Sequence, residues 1–118
     1  MLGINTVIYS GVVSGSITFQ ETKLKKTPAC SFSLVSSRRG PKNSYVSSKV
    51  KINAYGDYLY DLCSKDLDKG VYVVVQGELM NRSGQYGELT EIRAIEILFT
   101  DANMEPTDTK EYTEQESD

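Results

Sequence analysis

Along the chain, β-branched and aromatic residues gather in five runs, Thr6 to Val13, Cys30 to Val35, Tyr45 to Tyr55, Val71 to Leu79 and Leu89 to Phe99, separated by Gly, Ser, Asn and Pro. Each run predicts a strand. The third is the clearest: Val46, Ser48, Val50, Ile52 and Ala54 fall on one face, and Ser47, Lys49, Lys51, Asn53 and Tyr55 on the other. In the second, Cys30, Phe32 and Leu34 alternate with Ser31, Ser33 and Val35, so a small, polar outer face recurs and the two strands suit one platform. A helical period occurs once, in Leu59, Leu62, Cys63 and Leu67 between Asp57 and Lys69, with Gly70 at the C-terminal cap position. Gly11 and Gly15 predict a bulge or sharp bend in the first strand, and Asn81 to Glu88 a hairpin loop between the last two.

The order β-β-β-α-β-β is that of the five-stranded OB-fold barrel, an all-β fold with one short helix, whose core here would hold Val7, Phe32, Val50, Ile52, Val73 and Val75. The 118 residues, 39% apolar and 25% charged, suit one folded domain, placed at residues 1–100, with a tail over 101–118. No apolar run is long enough to cross a membrane and the N-terminus lacks a leader pattern, so a cytoplasmic protein is expected. With no histidine and only Cys30 and Cys63, zinc binding and histidine-based acid/base chemistry are excluded. The cysteines are expected as buried free thiols, and no enzyme activity, metal or cofactor is expected.

Charge changes the picture once the chain is divided. Residues 1–100 carry 12 Lys/Arg against nine Asp/Glu, while residues 101–118 carry Lys110 against seven acids, so a body of +3 bears a tail of −6. The low isoelectric point belongs to the tail, and residues 102–118, without apolar periodicity, are expected to be disordered. A mildly basic body remains compatible with a polyanionic ligand.

Four segments carry a family likeness: Asn5 to Gly15 (NTVIYSGVVSG), Ala29 to Arg39 (ACSFSLVSSRR), Lys49 to Leu59 (KVKINAYGDYL) and Lys69 to Ser83 (KGVYVVVQGELMNRS). In these, in this order and spacing, residues 4–100 resemble the bacterial-type single-stranded DNA-binding proteins, and the short chain suits a phage- or plasmid-encoded member. The resemblance implies an OB-fold that assembles into homo-oligomers, tetramers or dimers, and coats single-stranded DNA without reading sequence, for replication, recombination and repair. That mechanism pairs a basic groove with stacking aromatic rings. The cations available for phosphates are Lys23, Lys25 and Lys26 in the first loop, Arg38, Arg39 and Lys42 in the second, Lys49 and Lys51 on the third strand, and Arg82. Tyr55 takes the position where the family stacks a phenylalanine before a glycine, here Gly56, with Tyr86 and Tyr45 as further stacking candidates; Tyr9 and Tyr72 are assigned to packing or a subunit interface.

The chain departs from the family in having no tryptophan: two of the family's stacking tryptophans fall at Gly40 and Lys49, and a third near Gly84. Stacking should contribute less and phosphate contacts more. The tail ends Gln115-Glu116-Ser117-Asp118, without the apolar pair through which the relatives recruit replication and recombination proteins. A protein-interaction OB module and an RNA-binding OB domain are the alternative readings. Asp57, Asp61, Asp66 and Asp68, on the short helix and its ends, form a solvated face rather than a metal site.

Overall fold

The computed structural model describes residues 1–22, 24 and 26–100. Five strands, β1 (Val7–Glu21), β2 (Pro28–Arg39), β3 (Tyr45–Tyr55), β4 (Tyr72–Gly84) and β5 (Gly87–Phe99), close in the order β1-β2-β3-β5-β4, with helix α1 (Asp57–Asp66) between β3 and β4. This is the predicted β-β-β-α-β-β order, closed as an OB barrel. Every pairing is antiparallel except the short parallel contact of β3 with β5. Among the described residues no helix is long and apolar enough to cross a membrane.

Alternation fills the barrel. Val13, Phe32, Leu34, Ile52, Val73, Val75, Ile92 and Ile97 are almost completely buried, and Val7 and Val50 pack against them half-buried. Helix α1 closes one end with buried Leu59 and Cys63, while its Tyr60 ring meets Phe19 edge-on at 5.3 Å. Burial of a leucine such as Leu59 contributes roughly 1.5–3 kcal/mol. Cys30 and Cys63 are buried free thiols, as expected, and a hydrogen bond with Cys63, reinforced by burial, pushes the Cys30 thiol up, so it stays protonated.

The bend in β1 lies at Gly15, one of the two glycines that predict it, whereas Gly11 stays in register opposite Val73. The β1–β2 register slips between Ser14 and Thr18, and Gly15 takes φ +76°, a left-handed conformation that costs a residue with a Cβ. Other boundaries differ from the pattern. The helix ends at Asp66 with Leu67 as its extended cap, and Gly70, at φ +90°, serves the following turn, where its N–H bonds to Val13 O at 2.9 Å. The loop expected over Asn81 to Glu88 shrinks to a two-residue turn, Gln85-Tyr86, because Arg82↔Leu89, Ser83↔Glu88 and Gly84↔Gly87 continue the β4–β5 ladder.

On β3 the expected core face holds only from Val50 onward. Val46 is 37% exposed and Ser48 is exposed, since the first half of the strand pairs with the end of β2 as an arm beyond the barrel. Two arms therefore leave the barrel at one end, β2–β3 and β4–β5, because β3 and β5 run parallel and begin there.

Candidate nucleic-acid interface

The outward residues of β2, β3, β5 and β4 line up by register into one face. Ser33, Lys51, Glu91 and Met80 form one row across it, and Ser31, Asn53, Arg93 and Glu78 the next. Lys49 and Lys51 stand exposed at its centre. Tyr55, half-buried, ends β3 at the edge near α1. At the opposite end, on the β2–β3 arm, Arg38 and Arg39 pair with Val46 and Tyr45, and the tip holds Lys42 in a left-handed conformation (φ +54°). Arg39 Nη2 donates to Asn43 Oδ1 at 3.3 Å and Arg38 Nη1 to Arg39 O at 3.3 Å, so both guanidinium groups lie along the arm. Tyr45 is 47% exposed and Tyr86, at the tip of the β4–β5 arm, 95% exposed.

The predicted cations and rings thus form a track rather than a cluster. Tyr45 and Tyr55 lie ten residues apart on one strand, which at a rise of about 3.3 Å per residue separates them by about 33 Å. Lys26 (φ +52°) sits exposed in the β1–β2 turn, past the Tyr55 end of the track, held by its N–H to Thr22 O at 2.9 Å. Lys23, Lys25 and the tail lie outside the described residues.

Two expectations for this face change. Asn53, read as a wet residue between Lys51 and Tyr55, is only 3% exposed: it accepts from Ser31 Oγ at 3.0 Å and donates from Nδ2 to Glu91 Oε1 at 2.6 Å. Glu91, 4% exposed, is also paired with Arg82, whose Nε lies 3.6 Å from Oε1. A buried carboxylate must find partners, and Arg82 is one of them. Its charge is partly committed to the protein, although its side chain remains 48% exposed. Tyr9 and Tyr72 are structural as expected, donating to Ser48 O at 2.9 Å and Ser10 Oγ at 3.0 Å.

The reading of single segments missed Glu78, Glu91 and Arg93, because the alternation of Ile92 and Ala94 with Glu91, Arg93 and Ile95 places them on the platform only once β5 is set beside β3. Near Tyr55 the face deepens into an open cleft of about 540 Å³, bounded by Tyr55, Asp57, Tyr58, Glu78, Arg93 and Ile95. Tyr58 donates its hydroxyl to Glu96 Oε1 at 3.1 Å, and that carboxylate holds the phenol above its ordinary pKa.

A closed OB barrel with cations and exposed rings along β2 and β3 is, in class, a nucleic-acid-binding module. The sequence model of the single-strand binding protein family matches residues 4–105, and the chain belongs to that family. Two solved structures are similar. A Plasmodium falciparum SSB in complex with ssDNA shares 22% identity at a TM-score of 0.74, over 86% of this chain and 98% of that one, a likeness of fold. A small single-stranded DNA-binding protein from Streptomyces coelicolor shares 26% identity at a TM-score of 0.67, over 83% of this chain and 94% of that one. No curated protein sequence matches.

Proposed function

We propose that this member of the single-strand binding protein family carries single-stranded DNA along β3, from the β2–β3 arm to the Tyr55 cleft, without enzymatic activity of its own. The observation that carries the reading is the alignment of Lys49, Lys51 and Tyr55 on one outward face, with Arg39, opposite Tyr45, continuing that face along the arm, Lys42 at its tip and Arg38 on the arm's other side. Phosphates meet the cations, and any base can stack on a ring, so binding does not depend on sequence. Duplex holds its bases stacked on one another and offers the rings nothing.

The test is a titration of fluorescein-labelled dT oligomer, duplex DNA and RNA of equal length at two salt concentrations. Single-stranded DNA should bind most tightly, with log K falling against log salt at about 0.7 per phosphate neutralised. Equal affinity for duplex, or a flat salt response, would overturn the reading. Tighter binding of RNA would favour an RNA-binding module, and no binding to any of them a protein-interaction module.

A homo-oligomer belongs to the same proposal. On the opposite face, outward residues of β1, β4 and β5 bring Ile8 (71% exposed), Val74 and Leu98 (60% exposed) together, with Ser10↔Val74↔Leu98 in register. Apolar exposure of this kind on a regular sheet fits a second copy of the chain. Leu98→Asp should lower the mass measured by light scattering relative to the unmodified chain; a monomeric unmodified chain would refute the assembly.

A further inference from the structure

The cleft beside Tyr55 differs in chemistry from the rest of the track. It opens where β3 and β5 part: they are paired over Lys51–Asn53 and Glu91–Arg93, after which β3 turns into α1 at Gly56 and β5 runs on. Its volume of about 540 Å³ falls in the range of small-ligand sites. Tyr55 lines it. The floor includes Ile95, the extra residue of the β4–β5 bulge, which leaves an aliphatic side chain 56% exposed. Glu78 and Arg93 stand directly opposite each other across β4 and β5. Neither side chain forms a hydrogen bond or ion pair with any described residue, so donor and acceptor are both available.

A seat for phosphate calls for cations alone, and the carboxylates of Glu78 and Asp57 repel an anion. The edge of a nucleobase has other needs, since it carries donors and acceptors side by side. Arginine meets the O6 and N7 acceptors of guanine with two parallel N–H groups. A carboxylate can then accept from guanine N1–H and the N2 amino group together, whereas thymine offers it a single N3–H. The apolar floor and the tyrosine ring suit a base plane. We propose that the cleft seats one unpaired guanine of the bound strand, its plane against Tyr55 and Ile95 and its edge between Arg93 and Glu78. An otherwise indifferent track would then have one base-selective position. This rests on the chain being a single-stranded DNA-binding protein.

The test uses the full chain and a labelled dT oligomer, displaced by unlabelled oligomers of the same length that are all dT or carry isolated, non-adjacent dG, dA or dC. The dG oligomer should compete roughly fivefold better than dT or more, the low end of what a two-point base contact gives. The readout for Arg93→Ala and Glu78→Gln is the dG to dT ratio, which should fall to near one in both. A dG oligomer no better than dT overturns the guanine seat while leaving single-strand binding intact. So does a ratio that survives both substitutions, the result expected if Arg93 contacts only phosphate. Failure of the unmodified chain to bind dT would remove both proposals.

Discussion

A ring that stacks on bases must be held in place and yet left uncovered, and Tyr55 meets both demands. It is half-buried at the last position of β3, followed by Gly56 at φ +102°, and it lines an open cleft. Tyr55→Ala should therefore weaken dT binding by roughly 1–3 kcal/mol, the range for one stacked base, with the circular dichroism spectrum unchanged. Tyr55→Phe keeps the π face and should retain most of the affinity. If Ala and Phe variants bind as the unmodified chain does, the residue only packs the barrel rim. The setting of Tyr55 was legible in the sequence because it ends an alternating strand before a glycine. That of Asn53 was not: two positions earlier on the same face, it is buried by Ser31 of β2 and Glu91 of β5, partners 22 and 38 residues away. Alternation gives the side of a sheet a residue faces, and only the neighbouring strands decide whether that side is wet.

The same limit governs the elements. The bounds of β3 match the expected run, and the start of α1 matches too, because periodicity and the Gly56 break are local signals. The arms were not legible as arms, since their alternation persists while both faces are exposed, and the β4–β5 turn closes in two residues through pairing that loop-like composition hides. Close strand approach is another feature that only the fold reveals. A Cβ on Gly77 would collide with the carbonyl oxygen of Arg93, at the bulge that turns Ile95 outward. Backbone cannot yield as a flexible side chain does, so Gly77→Ala should cost about 1–3 kcal/mol. In a domain of this size each kcal/mol lowers the melting temperature by roughly 4–8 °C. The same substitution should disturb the cleft, and an unchanged melting temperature would show that β4 and β5 can separate without loss.

At the scale of the molecule the opposing charges of body and tail are the strongest remaining feature. Residues 1–100 sum to +3 and residues 101–118 to −6, so a ligand that is itself a polyanion would meet a competitor tethered to its own binding protein. Tethering raises the local concentration of such a competitor to a level set by chain length rather than by how much protein is present. The competing charges would act on exposed cations such as Lys49, Lys51 and Lys42, where screening by salt is strong. Deletion of residues 103–118 should therefore raise affinity for dT at low salt, and the gain should shrink as the Debye length falls to about 8 Å near physiological ionic strength. A tail that served only solubility would leave affinity unchanged at every salt concentration. Measured by anisotropy for the two proteins side by side, a truncated chain that binds dT no more tightly than the full one at low salt would rule self-competition out.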